Sequence, residues 1–414
     1  MKTRRSSLNS IILIFIAPLV YVFNASDILA QGSLTPPGAP SPTMKTLSQI
    51  EPRTPISTLP YTISSSGSYY VTANLTGSAG NNGIIVNADN VDLDLQGFSL
   101  IGAPSSGNGI YVNGQHLNLR IHDGTILNWA SFGVNGTNAN YGQIDDLRVF
   151  NYTNGGIVVG NGNNIVNCIV YNNGTTGTGN GITAGDMCEL KDSKVIASGA
   201  TGIAMGNYGV IADCLSVSNF YGAGFQLGDD NTVVNCTAAH NFYPGGLVVG
   251  NNCTLIGCTV SSQEQNLYIT HGIVTANNCT IKNCTTDFND AGIYTGDSCN
   301  VIECTANDNS INAGTGIVVG NFCKVRGCVA NNNEYGGIST INACYVADNL
   351  AIGTLLASPD IYNNGTNSVV VNNMIETNFF FGGNGNSKTA NAYGTIETIG
   401  TLNTDKNPQG NYTH

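Results

Sequence analysis

The chain has 414 residues and 43.1 kDa, enough to bury a large core, with 52 glycines, 13 cysteines and only 10% charged residues. This composition excludes collagen, because no glycine recurs every third residue, and a highly charged disordered chain. A net charge of −12 with pI near 4.6, and no Lys/Arg run past the N-terminus, argue against a nucleic-acid partner.

Lys2, Arg4 and Arg5 precede an apolar run from Ile11 to Phe23, broken only by Pro18. As a helix that run would reach about 20 Å, short of the ~30 Å hydrocarbon core of a bilayer. It reads as a secretory signal peptide over residues 1–30, cut after Ala30 or Ala25, with no membrane span once it is removed. The expected location is extracellular, cell-surface or periplasmic. Without residues 1–30 the net charge is −14. Residues 31–46 are Pro/Ser/Gly-rich and read as a linker. Residues 47–82 read as an N-terminal cap in which prolines oppose strand continuation and Tyr69-Tyr70-Val71 starts a stack.

A repeat then dominates. Glycine recurs at 83, 109, 133, 156, 181, 202, 224, 246, 272, 292, 316 and 337, and an apolar residue follows each one. A period of 20–26 residues is the mark of a solenoid. The segment Gly246-Leu-Val-Val-Gly-Asn-Asn-Cys-Thr-Leu-Ile-Gly-Cys-Thr-Val260 shows short β-branched pieces between Gly/Asn corners. Such pieces are too short for helices, and no leucine-rich frame is present. The expectation is an all-β, right-handed parallel β-helix of about twelve coils over residues 83–383, with residues 384–414 as a C-terminal cap and tail.

The cysteines fix the register. Seven residues after a ladder glycine stand Cys188, Cys253, Cys279, Cys299, Cys323 and Cys344; twelve after stand the other seven. Between them, nine on, lie Ile165, Leu190, Ile211 and their equivalents, so both cysteine columns face inward. They read as buried structural thiols. Export makes disulfides between stacked neighbours the alternative. Zinc is disfavoured, because the Cys-x4-Cys pairs run along columns rather than converging. No metal set or cofactor is therefore expected, and Ca²⁺ at the Asp corners is left open.

These residues carry a resemblance. The coils are similar to the right-handed parallel β-helix repeats of the pectin lyase-like superfamily over roughly residues 45–375. The lead-in from Pro52 to Ser57, through Gly67 to Tyr70 and Ala88 to Phe98, resembles the start of secreted bacterial β-helix proteins. One fold here hosts lyases, hydrolases, epimerases, adhesins and phage tail spikes. The resemblance to its pectinolytic hydrolases implies Asp229, Asp230 and His271 as catalytic candidates, through Gly228-Asp229-Asp230 and His271-Gly272. The spacing argues against that match. Asp229 lies in an Asn/Asp corner column five residues past the ladder glycine, His271 is two coils on rather than one, and no Arg-Ile-Lys follows.

A lyase would need charged groups on the outward face of the first strand. That position reads Ile85, Tyr111, Asn135, Val158, Thr183, Ala204, Gln226, Val248, Val274, Tyr294, Val318 and Ser339, all uncharged. The apolar members of this column also leave a trimeric, spike-like assembly as a third reading. Four residues before the ladder glycine, an aromatic column holds Trp129, Tyr152, Phe220, Phe242, Tyr268 and Phe288, thickened by Tyr221 and Tyr243. Buried, it is core; exposed, Trp129, Tyr152, Phe220, Phe242, Tyr243 and Tyr268 are the ligand-binding candidates, with a polysaccharide or cell-surface glycan as partner. The sequence is read as a secreted, non-catalytic β-helix protein, glycan-binding or structural; the alternative is a polysaccharide lyase or glycoside hydrolase.

Overall fold

A computed structural model describes residues 51–171, 179–263, 270–309, 314–355, 358–376, 378–382, 384, 386–389 and 395–398. The signal and linker segments lie outside the described residues, as do Tyr268 and residues 399–414. Among the described residues there is no helix long and apolar enough to cross a membrane.

The described residues from Pro52 onward form a parallel β-solenoid. A representative coil has three short strands, Gly245–Val249, Thr254–Ile256 and Thr259–Ser261, each paired in parallel with its equivalents in the coils before and after. The first strands form a 16-stranded sheet; the second and third form a continuous 28-stranded sheet. The residue after every ladder glycine points inward. From Ile84 through Phe225 and Leu247 to Ile338, these side chains are at most 1% exposed. Burying each contributes about 1.5–3 kcal/mol.

The ladder glycines have a steric cause. A Cβ at Gly83, Gly109, Gly224 or Gly316 would lie 2.5, 2.6, 2.6 or 2.7 Å from the carbonyl oxygen of the next ladder glycine. No side chain fits where consecutive coils approach so closely. The corners have a cause too. The coils turn at left-handed residues, exemplified in one coil by Asp230 (φ 59°), Asn235 (φ 51°) and His240 (φ 52°). Asn and Asp tolerate this conformation best after glycine.

All thirteen cysteines are buried and free. Their sulfurs do a corner's hydrogen bonding. Cys279 Sγ donates to Gly250 O at 3.2 Å and accepts the Cys253 N–H at 3.4 Å. Asn231, in the same column, does both with its amide group. A further inward column escaped the sequence analysis: Asn219, Asn241, Gln263, Asn289, Asn309 and Asn333, each at most 2% exposed. Asn309 Oδ1 accepts the Asn289 N–H and side-chain amide, both at 3.1 Å, and Asn333 repeats this for Asn309 at 3.1 and 3.0 Å.

The described strands of both end segments join the stack. Where an N-terminal cap was expected, Thr54–Ile56, Tyr61–Ile63, Gly67–Val71 and Leu75–Thr76 already pair in parallel with the coils that follow. Pro55 sits in the outermost described strand, where its missing N–H removes no ladder bond. In the segment expected as cap and tail, Ser387–Thr389 and Thr395–Thr398 are also strands of the stack. In the third coil, where the sequence register slips by two residues, Ala139–Asn140 pairs with His116–Leu117 as a separate two-stranded ribbon.

Candidate functional site

The candidate trio Asp229, Asp230 and His271 is not brought together. Asp229 belongs to a corner ladder running from Asn140 to Asn342. Its Oδ1 accepts the Asn251 N–H at 2.6 Å and the Asn251 side-chain amide at 3.1 Å, while its own N–H donates to Asn207 Oδ1 at 2.7 Å. Asp230 occupies the left-handed corner position beside it. His271 opens the strand His271–Thr275, in register with Gly245 rather than with any corner residue. Asp229 and His271 thus occupy opposite ends of the first strand, six coil positions or about 20 Å apart. The hydrolase-like grouping is therefore corrected: adjacency to a glycine placed these residues in the same motif, but the coil separates them.

The aromatic column divides. Trp129 and Tyr152 are 1% and 3% exposed and offer no face to a ligand, which corrects their assignment as binding residues. Trp129 fills the space left by Gly77 and Gly83 and donates its indole N–H to Leu100 O at 3.1 Å. The Tyr152 hydroxyl bonds to Ser198 Oγ at 3.0 Å, and burial pushes its pKa above the usual phenol value. Phe220 and Phe242 are half-buried, and Tyr243 is exposed.

The outward face of the 16-stranded sheet is as the sequence implied. From Thr62 to Phe380 no outward residue of this column carries charge; the last described rung, in register with Phe380, is Glu397. Its later rungs gather rings. Tyr294 stacks on His271 with centroids 5.1 Å apart, and Tyr362 stacks on Phe380 at 4.6 Å. Between these pairs a groove of about 310 Å³ is lined by Thr315, Tyr335, Ser339, Pro359 and Tyr362, among others. Burial holds the His271 pKa below its usual value, opposed by nearby Asp290. His271 Nδ1 and Asp290 Oδ1 are buried without a hydrogen-bond partner.

A second surface was not found from sequence. On the outer face of the 28-stranded sheet, Asp92 and Asp94 lie in register with Arg120 and His122, and His122 with Asp145. Arg120 forms a two-bonded ion pair with Asp145, at 3.1 and 2.7 Å, and Arg53 bonds Asp94 at 2.8 Å. His122 is only 7% exposed; its Nδ1 lies 2.8 Å from Asp123 Oδ2 and its Nε2 3.2 Å from Asp92 Oδ1. A groove of about 660 Å³ opens alongside, lined by Asp94, Asp123, Asp146 and Arg148 among others. The signal was present as Val91-Asp-Leu-Asp94 and Leu119-Arg-Ile-His-Asp123, two charged outward faces 28 residues apart.

No family model and no curated protein matches the chain. Among solved structures it is similar to an N-terminal fragment of bacteriophage Phi29 gene product 12, at 13% identity and TM-score 0.41, covering 81% of this chain and 87% of that one. It is similar to the catalytic domain of a GH87 α-1,3-glucanase at 12% identity and TM-score 0.37, covering 82% and 64%. The A-module of the Azotobacter vinelandii mannuronan C-5 epimerase AlgE4 gives 14% identity and TM-score 0.30, covering 82% and 90%. The likeness at these values is to the fold alone. A coil of this kind by itself assigns no activity.

Proposed function

We propose that this chain is a secreted or cell-surface β-helix protein that binds a neutral glycan, without turnover, on the outward face of its 16-stranded sheet. The observation that carries the reading is the outward column, uncharged from Thr62 to Phe380, leading into the groove of Thr315, Tyr335, Ser339 and Tyr362. Rings supply flat apolar contact to sugar faces, and hydroxyls supply directional hydrogen bonds. An acidic polysaccharide would call for cations on this wall. Tyr294 and Tyr362 stand three rungs apart, about 14 Å, so an extended chain could meet both.

The test is a panel of neutral and uronate polysaccharides, read by binding and by assays for new reducing ends and unsaturated products. Neutral glycans are expected to bind without products, and Tyr362→Ala to weaken binding at least tenfold. Uronate preference, or binding indifferent to Tyr362→Ala, would overturn the assignment to this face. Turnover would favour the enzyme reading, whose best foothold is the carboxylate-lined groove on the other sheet.

A further inference from the structure

We propose that Asp94, His122 and Asp123 form a binding site for a first-row divalent cation of the Zn²⁺ class, on the outer face of the 28-stranded sheet. One donor atom from each lies within 4.8 Å of the other two. Parallel pairing sets Asp94 beside His122, and the left-handed backbone of Asp123 (φ 56°) swings its carboxylate to the same point.

The imidazole supplies a separate argument. Its two nitrogens face carboxylates of Asp123 and Asp92. The side chain is nine-tenths buried, so both contacts lie out of bulk water. A cation held by Nδ1, Asp94 and Asp123 takes the place of a proton on that nitrogen and leaves Nε2–H to donate to Asp92. This is the usual outer support of a metal-bound histidine. Asp92 is itself held by Ser68 Oγ at 3.0 Å. Asp94 is fixed by Arg53 on Oδ2 and by the Gln96 N–H on Oδ1 at 2.7 Å. The groove then leaves open coordination positions, with Arg148 on its wall to meet an anionic co-ligand. One imidazole with two carboxylates suits Zn²⁺ or Mn²⁺ better than the all-oxygen shells of Ca²⁺ and Mg²⁺.

The experiment titrates the metal-free protein with ZnCl₂ by calorimetry and follows the histidine ring nitrogens by NMR. One equivalent is expected to bind. The His122 Nδ1 resonance should shift while Nε2 keeps its proton. Asp123→Asn, at a side chain 54% exposed, should weaken binding at least tenfold, and Asp92→Asn by about 10–100-fold. His116→Ala removes a separate His–Asp pair, with Asp89, and should change nothing. No saturable binding, a doubly protonated His122 ring indifferent to Zn²⁺, or binding unaffected by Asp123→Asn would each overturn the site. The result is independent of the glycan assays, because the two surfaces lie on different sheets.

Discussion

The early coils, residues 84–150, are held by aliphatic side chains, Trp129 and ion pairs, whereas the described coils between 245 and 352 add stacked cysteine and asparagine to their aliphatic columns. The backbone differs in step. Leu119–Leu127 and Gln143–Phe150 are long strands that run through a corner and pair along most of their length. Later strands of the 28-stranded sheet have only three residues. A long ladder of backbone bonds fixes register unaided. A three-residue strand does not, and side chains at the corners take over. The side-chain ladders are thus what allows strands so short to stack in order.

Four measurements would break or sharpen this contrast. The largest effect is expected in the early coils. Trp129→Ala should destabilise by about 3–5 kcal/mol in denaturant unfolding, because the ring packs against glycines that cannot fill the cavity. A cost below 1 kcal/mol would show that these coils do not depend on their aromatic core. In the late coils, Asn309→Ala should cost about 2–3 kcal/mol, since the Asn289 N–H and amide lose their buried acceptor.

The pH dependence comes next. Burial pushes the Cys168 thiol up to about 12, while an unfolded thiol titrates near 9. Between those values the folded state holds a proton that the unfolded state has released, so stability falls as pH rises from 9 to 12. The slope is about 1.4 kcal/mol per pH unit for this one thiol. Cys168→Ala should flatten the profile by that amount; an unchanged slope would place the thiol in contact with water. The smallest effect is expected for Cys279→Ser, which keeps both a donor and an acceptor and should cost under about 1 kcal/mol. A cost matching that of Cys279→Val would show that sulfur packing, not hydrogen bonding, sets the column.

The coil, its inward columns and the Asp229 corner ladder were legible because each repeats one residue type at one offset. Two features were not. Asn219, Asn241, Asn289, Asn309 and Asn333 escaped notice, since asparagine is seldom fully buried, and their bonds to one another reveal an interior ladder. The groove of Asp94, His122 and Asp123 arises in coils that lack the cysteine marker, where the register slips and Ala139–Asn140 forms a ribbon. Its members meet across strands rather than along the chain. The Trp129 column was visible as a repeat, but its burial depends on Gly77 and Gly83, neither of which carries a side chain to signal the partner.

Each rung from Asn289 to Asn309 accepts on its side-chain oxygen from the coil before it and donates through its N–H groups to the coil after it. The sulfurs of Cys279, Cys299 and Cys323 accept a backbone N–H from the coil before in the same sense, whereas the Asp229 corner runs the other way, accepting from the coil after and donating to the coil before. A complete interior coil is therefore its own complement: its upper and lower faces match. Duplicating or deleting one whole coil of 20–26 residues would leave every ladder bond satisfied at the new junction. The protein's length can change by whole coils without redesign of the fold, and any binding face on its sheets would lengthen or shorten with it.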